Sequence, residues 1–324
     1  MEVYLGVDVG SVTTKLAAVN KNGELLGHIY LPTQGKPIEM VQTGLREIKG
    51  QLPQEVDICG VATTGSARYL AGVVVGADLV KNEITCHAMG TLHYIPEVQT
   101  IIEIGGQDSK IIIVRDGIVT DFGMNTVCAA GTGSFLAHQA LRLGIGIEEF
   151  AQRALTSRTP VRIAGRCTVF GESDMIHKQQ MGHQIEDILY GLCQALVRNY
   201  LNNVGLGKKI DSPIVFQGGV AFNQAIVKAF HEELKTEVIV PPHHEIMGAI
   251  GAALLVYEEV LSKNRRSQFM GFGTSEAKYH TTSFECESCP NLCEIAQLVL
   301  DDQVLARWGG RCDLWERVQA EEVK

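Results

Sequence analysis

Gly6-Val7-Asp8-Val9-Gly10-Ser11 follows the first apolar run of the chain, and Ile104-Gly105-Gly106-Gln107-Asp108-Ser109 follows a later one. A third stretch, Phe216-Gln217-Gly218-Gly219-Val220-Ala221, ends another apolar run and precedes a helical pattern. Each predicts a buried strand that ends in a glycine turn, whose exposed N–H groups suit a phosphate or a nucleotide. Asp8 adds a carboxylate of the kind that hydrated magnesium accepts. Together the loops predict an ATP site, although each one alone is also typical of an ordinary hairpin turn.

The elements around these loops repeat along the chain. Each half has a hairpin first and then alternating helices and strands, which predicts two similar α/β lobes with a cleft between them. We expect residues 1–95, together with about 245–262, to form the first lobe and residues 96–244 the second. Residues 263–283 are expected to form a linker, with a charged stretch at 263–267 followed by residues 268–283, which are rich in Gly, Ser and Thr. Residues 284–324 are expected to form a cysteine-rich, metal-binding tail.

Composition narrows the class of protein. The 324 residues carry a net charge of −9 with no basic stripe, which makes nucleic acid an unsuitable partner. The apolar runs are too short for a membrane span, and the start of the chain lacks the basic region of a signal peptide. We therefore expect a cytoplasmic protein. In a reducing cytosol, clustered cysteines are more often metal ligands or redox groups than disulfides, and this chain has nine cysteines.

Two of these cysteines precede predicted helices. Cys128 comes before a helix expected at Ser134–Leu143, and Cys167 comes before one expected at Thr168–Gln180. The helix dipole and the free N–H groups of a helix start favour a thiolate. A 4Fe–4S cluster needs four thiolates, so a two-fold axis through the cluster would complete the set. The alternative interpretation is a pair of buried structural cysteines.

The chain resembles a known family over roughly residues 3–258. It is similar to the activators of 2-hydroxyacyl-CoA dehydratases and to the ATPase subunits of benzoyl-CoA reductases, and the order of its three loops is that of the actin, Hsp70 and sugar kinase superfamily. The sequence departs from the expected pattern at Glu103 and Gly171, where Asp and Ala are usual. Besides the three loops, the motifs that carry the resemblance are Cys86-His87-Ala88-Met89-Gly90, Cys128-Ala129-Ala130-Gly131-Thr132-Gly133 and Cys167-Thr168-Val169-Phe170.

The resemblance implies an activity. It implies a homodimer of ribonuclease-H-like, actin-like ATPase subunits in which Cys128 and Cys167 of both subunits hold one bridging 4Fe–4S cluster. ATP hydrolysis would then drive low-potential electrons to a partner enzyme. The expected donor is ferredoxin or flavodoxin, and the expected acceptor is an iron–sulfur dehydratase or reductase.

Site roles follow from this hypothesis. We expect Asp8 and Asp108 to bind hydrated magnesium, and Gln107 or Asp108 to position the attacking water. The residues expected to contact the nucleotide are Gly10, Ser11, Lys15, Gly105, Gly106, Gly131, Gly133, Gly218 and Gly219. The helical setting of Cys86 and His87 favours a packing role for both. No GxxxxGKS or GxxxxGKT stretch is present, which argues against a Walker-type loop.

Four further cysteines crowd the tail. Cys286, Cys289, Cys293 and Cys312 offer four soft ligands, which is typical of zinc or a second 4Fe–4S cluster. Reduced structural thiols are the alternative for this tail. For the whole protein, the alternative function is a small-molecule kinase of the same superfamily with structural zinc. That kinase would have a polar substrate pocket with a catalytic aspartate and no cluster.

Overall fold

The computed structural model describes residues 1–125, 128–263, 265–300, 303–312 and 314–315. Its two main sheets have five strands each, in the orders β3-β2-β1-β4-β5 and β10-β9-β6-β7-β8. The strands of the first are β1 (Glu2–Val9), β2 (Thr13–Asn20), β3 (Leu25–Pro32), β4 (Asp57–Thr64) and β5 (Leu79–Val80). Those of the second are β6 (Thr100–Ile104), β7 (Ser109–Arg115), β8 (Ile118–Asn125), β9 (Ile214–Gln217) and β10 (Val238–Ile239).

The two sheets share one topology. In each, the first three strands are antiparallel, and the fourth and fifth continue in parallel beside the first. The prediction of two similar α/β lobes is therefore confirmed.

Helices cover both sheets. Those beside the first sheet are α1 (Pro37–Gln51), α2 (Arg68–Val75) and the returning α9 (Met247–Lys263). Those of the second half are α4 (Gly133–Arg142), α5 (Ile147–Leu155), α6 (Thr168–Gln180), α7 (Ile185–Asn203) and α8 (Gln224–Leu234). Helix α3 (Glu83–Tyr94) packs between α9 and strands β7 and β8 of the second sheet. None of the helices in the described part of the chain has the length and apolarity to cross a bilayer.

Strand β1 is buried on both faces, because α9 lies directly on one of them. Val3, Leu5 and Val7 are fully buried in one hydrophobic cluster, while Tyr4 faces another together with residues of α9. Gly6 makes the close approach possible, since a Cβ there would overlap the carbonyl oxygen of Ala249. This packing holds the end of β1, and hence Asp8, in a fixed position.

A third, antiparallel sheet ends the described chain, with the strands β11 (Tyr279–Glu285), β12 (Glu294–Leu300) and β13 (Gln303–Trp308). The predicted fold of two lobes with a small cysteine-rich C-terminal unit is thus confirmed. Residue 264 of the predicted linker and residues 301–302, 313 and 316–324 of the predicted tail lie outside the described residues.

The segment predicted as a linker differs from that expectation, because it packs on the first lobe. The backbone N–H of Met270 donates to the Val75 carbonyl at 3.1 Å. The Gln42 side chain donates to the carbonyls of Thr274 and Ala277 at 2.9 and 2.8 Å. Phe269 and Phe272 pack edge to face with each other, and both contact the hydrophobic cluster of the first lobe. The Gly-, Ser- and Thr-rich composition obscured these two aromatic anchors, and β11 begins inside the predicted linker.

Leu298 tests this packing. It lies on β12 and is fully buried in the hydrophobic cluster of the first lobe. Leu298→Ala should lower the free energy of unfolding by about 2–5 kcal/mol, the usual cost of a large cavity in a core. Chemical denaturation measures this change, with exposed Leu206→Ala as the matched control. Equal stability of the two variants would mean that the third sheet contributes no core to the lobe.

Candidate functional site

The predicted loops meet in a cavity of about 640 Å³ between the two sheets. The predicted site residues that line it are Asp8, Gly10, Ser11, Lys15, Gly105, Gly106, Gln107, Asp108, Gly133, Gly218 and Gly219. Gly131 does not line it. A Cβ at Gly131 would lie 2.8 Å from the side-chain oxygen of buried Asn199, so this glycine serves close packing behind the cavity.

The start of α4 is bonded to the second glycine turn. The N–H groups of Gly133 and Ser134 donate to the carbonyls of Gly105 and Gly106 at 2.9 and 2.8 Å. The turn itself closes through the Gly105 N–H and the Asp108 carbonyl at 3.0 Å. These bonds join the second glycine turn directly to the first residues of α4.

Each lobe places an acid–lysine pair at the same point of its hairpin. Asp8 on β1 faces Lys15 on β2 in register, and their charged groups are 3.1 Å apart. Glu103 on β6 faces Lys110 on β7 in register, and the charged groups of this second pair are 3.0 Å apart. Directly opposed residues of antiparallel strands share a face, so both pairs point into the cavity that lies between the sheets.

Lys110 forms ion pairs with three carboxylates although its side chain is only 2% exposed. Its ammonium group is 2.8 Å from Glu83, 3.0 Å from Glu103 and 2.9 Å from Asp108. Burial by itself would lower the pKa of Lys110, but these carboxylates raise it well above the ordinary value. Asp108 is thus already paired with a buried lysine, and its expected role at magnesium stays a prediction.

The charges of the cavity fit a divalent cation. Burial raises the pKa of the Asp8 carboxyl, but attraction mainly by Lys15 outweighs it, so the net pKa lies below the ordinary value. Burial also raises the pKa of Glu103, and Lys110 opposes that rise. Acidic side chains outnumber Lys15 and Lys110 in the lining of the cavity; they are Asp8, Glu83, Glu103, Asp108, Glu148 and Glu245. An acidic lining of this kind suits hydrated Mg²⁺.

His87 lines the cavity, although its sequence setting favours packing. Its Nδ1 is 3.0 Å from the Gln217 amide at the end of β9, and the same amide lies 2.8 Å from the Thr91 hydroxyl. Burial lowers the pKa of His87 to about 4, so the ring is neutral at physiological pH. The missed signal is a polar stripe, since Glu83, His87 and Thr91 follow one another at four-residue intervals on α3.

Cys128 and Cys167 both stand just before helical turns and are half-buried. Asn125 holds the backbone of Cys128 from both sides, accepting from its N–H at 3.0 Å and donating to its carbonyl at 2.7 Å. The Asn199 amide donates to the Gly165 carbonyl in the loop before Cys167. Because Asn199 also abuts Gly131, one buried side chain supports both cysteine loops.

Of the four tail cysteines, Cys286 and Cys293 are joined by a backbone hydrogen bond. The Cys286 N–H donates to the Cys293 carbonyl at 2.8 Å, whereas Cys289 and Cys312 are exposed. Hydrogen bonds from Ser288 and then Trp315 lower the pKa of the Cys286 thiol. Within the described residues, no three of the four tail sulfur atoms lie within 4.8 Å of one another. A metal in the tail stays a prediction.

Comparisons with known proteins agree with this architecture. The family model of the BadF/BadG/BcrA/BcrD ATPase family matches residues 5–256. The 2-hydroxyisocaproyl-CoA dehydratase activator of Clostridioides difficile is 35% identical over 79% of this chain and 95% of its own. The third sheet lies beyond the family match.

Solved structures give the same result. Component A of (R)-2-hydroxyglutaryl-CoA dehydratase from Acidaminococcus fermentans is 32% identical with a TM-score of 0.75, covering 81% of this chain and all of its own. The activator of 2-hydroxyisocaproyl-CoA dehydratase from Clostridium difficile with bound ADPNP is 33% identical with a TM-score of 0.73, covering 81% and 97%. The predicted resemblance is confirmed, and this chain belongs to the BadF/BadG/BcrA/BcrD ATPase family.

Proposed function

We propose that this protein is an ATP-driven electron-transfer activase. In the proposal, a homodimer holds one bridging 4Fe–4S cluster and passes low-potential electrons to an iron–sulfur dehydratase or reductase. One observation carries it. The short segment from Cys128 to Gly133 joins the candidate cluster ligand to the helix start that is bonded to Gly105 and Gly106. A change at the nucleotide turn therefore reaches the cysteine through a few covalently linked residues.

The setting of the two cysteines fits a shared cluster. Both thiols are partly accessible. Cys167 directly precedes α6, whose first N–H groups favour negative charge, and Cys128 lies a few residues before the start of α4. Val169 and Phe170, directly after Cys167, are 67% and 65% exposed. Large apolar side chains at such exposure support a subunit interface around the cluster. A two-fold axis there would supply the other two thiolates.

The nucleotide would lie in the cavity where the three glycine turns meet. The relative with bound ADPNP supports a nucleotide as the ligand. Asp8 would hold hydrated magnesium, which neutralises charge on the phosphates when bound. Gln107 lines the cavity beside the second glycine turn and would orient the attacking water. Lys15 and Lys110 are already fixed by carboxylates, so they contribute ordered positive charge without reorganisation.

Magnitudes explain why hydrolysis would be needed. Moving one electron across a gap of roughly 300 mV costs about 7 kcal/mol, at 59 mV per 1.4 kcal/mol. Coupling between two binding sites usually supplies only about 1–3 kcal/mol. Nucleotide binding alone would therefore not raise the electron to the low end of iron–sulfur potentials, which extend to about −700 mV. The names of the relatives support a dehydratase as acceptor, and ferredoxin or flavodoxin would be the donor.

Metal analysis of anaerobically purified protein tests the proposal. A variant with serine at Cys286, Cys289, Cys293 and Cys312 removes the tail thiols and leaves Leu298, the core residue of the third sheet, in place. We expect it to remain a dimer, to show the visible absorption of an iron–sulfur cluster and to contain about four iron atoms per dimer. An iron-free dimer that phosphorylates a small molecule would instead support the kinase alternative.

A further inference from the structure

Two histidines and one glutamate converge beside the cavity. Across the described ranges, His28, His243 and Glu245 form the one group of three or more His, Cys, Asp or Glu residues whose ligand atoms all lie within 4.8 Å of one another. All three side chains are half-buried. The group contains no cysteine and no member of the Lys110 network, and no role at the nucleotide or the cluster is proposed for it.

The backbone of His28 is fixed from both sides. His28 lies on β3, and its N–H donates to the Gln51 side-chain oxygen at 2.9 Å. The Gln51 amide donates back to the His28 carbonyl at 3.0 Å. Gly27 leaves room for this contact, since a Cβ there would lie 2.9 Å from the same oxygen. The strand position of the first imidazole is therefore set before any metal binds.

His243 and Glu245 come from the turn between β10 and α9. His243 has φ = 60°, a left-handed conformation that histidine adopts more readily than most residues. Its ring packs against His28 with centroids 5.5 Å apart and against Tyr94 at 6.3 Å. The turn is closed by the Ile246 N–H, which donates to the His243 carbonyl at 3.0 Å. This conformation brings both side chains of the turn to His28.

We propose that His28, His243 and Glu245 bind one divalent transition-metal ion of the zinc type. Two imidazoles and a carboxylate are a donor set that holds Zn²⁺ and leaves a fourth position open. Imidazole ligands select such ions against Mg²⁺, which requires oxygen. The alternative is an aromatic pair between His28 and His243 with an incidental carboxylate.

The site would link the two sheets. His28 belongs to the first sheet, whereas His243 and Glu245 lie where the chain leaves the second. His244, between the two ligands, accepts the Gly218 N–H at 2.9 Å through its carbonyl, and its Nδ1 lies 3.1 Å from the Gly218 carbonyl. Glu245 also lines the cavity. This inference rests on the proposed nucleotide site. We infer that a bound metal changes the affinity of the protein for nucleotide, and that nucleotide changes the affinity for the metal by the same factor, as linkage requires.

Zinc titration of chelator-treated full-length protein under anaerobic conditions tests the site. The double variant His28→Phe, His243→Asn keeps a ring at the first position and a residue that tolerates left-handed backbone at the second. We expect it to bind one Zn²⁺ per chain fewer than the parent protein. Glu245→Gln should lower the affinity for that one Zn²⁺ ion at least about 100-fold. Exposed His183→Asn is the matched control and should bind as the parent does.

The outcomes separate the claims. Equal zinc content in the double variant and the parent, with both folded by circular dichroism, would overturn the site. Excess Mg²⁺ that displaces this zinc would also overturn it, because an oxygen-selective site would then be responsible. If the zinc is lost as expected but ADPNP affinity in the parent is the same with and without zinc, the site stands and the coupling to nucleotide is wrong.

Discussion

Replacing Cys128 and Cys167 together by alanine is expected to remove all bridging iron and to abolish electron delivery, while nucleotide binding survives. Neither thiol lines the nucleotide cavity, so ATP should still bind. Each subunit would supply two of the four thiolates, and the double change therefore leaves none. The measurement is iron content and reduction of the partner enzyme, made with the tail cysteines replaced by serine so that tail iron is not counted.

Cys59→Ala is the matched control for this result. Cys59 is another half-buried free thiol, but it lies on β4 of the first sheet, away from the helix starts. We expect full iron content and normal electron delivery in that variant. Bridging iron retained in the Cys128→Ala, Cys167→Ala variant would exclude these residues as the ligands. Loss of nucleotide binding together with iron would show instead that the cysteine loops fold only around the cluster.

Asp8→Asn should lower ATP hydrolysis at least about 100-fold, comparable to removing one preorganised charge-stabilising group from an active site. The change keeps the shape of the side chain but removes the negative charge beside Lys15, 3.1 Å away. The net pKa of Asp8 lies below its ordinary value, so the parent carboxylate is ionised at neutral pH. Its stabilising contribution is present above the unfolded pKa and is lost only as the pH falls through the lower folded value.

Folding must be measured beside turnover, because the variant leaves half-buried Lys15 without its partner, and loss of one member of a desolvated ion pair lowers stability. Phosphate release under saturating ATP and magnesium gives the rate, and circular dichroism gives the folded fraction. Asp116→Asn is the control. Asp116 is exposed in a turn, and its φ of 50° is one that asparagine tolerates. The Asp116→Asn variant should therefore hydrolyse ATP at the parent rate.

Asp108→Asn distinguishes a role of Asp108 in magnesium binding from a role in holding Lys110 in place. Lys110 would keep Glu83 and Glu103 as partners, so this variant should fold as the parent does. We expect hydrolysis to fall severely here too. Near-normal turnover in both Asp8→Asn and Asp108→Asn would mean that the phosphates bind elsewhere.

Local patterns in the sequence were enough to predict the strands, the turns and the family of this protein. The strand–turn pattern around Asp8 and its repetition around Asp108 predicted the duplicated hairpins, because a buried strand and a glycine turn are encoded by neighbouring residues. Cys167 stands directly before α6 as expected, and Cys128 precedes α4 with one short 3-10 turn, Ala129–Gly131, between them. Family membership followed from the combination of these short motifs.

Only the tertiary structure decided which distant groups meet. Lys110 gains Glu83 from another element, and His87 meets Gln217 from the second sheet, so neither contact has a local signature. The supposed linker packs on the first lobe because two aromatic side chains outweigh its flexible composition. His28 reaches His243 because the last turn before α9 returns to the first sheet. Periodicity and turn chemistry specify elements, whereas the long-range burial of side chains specifies the sites between them.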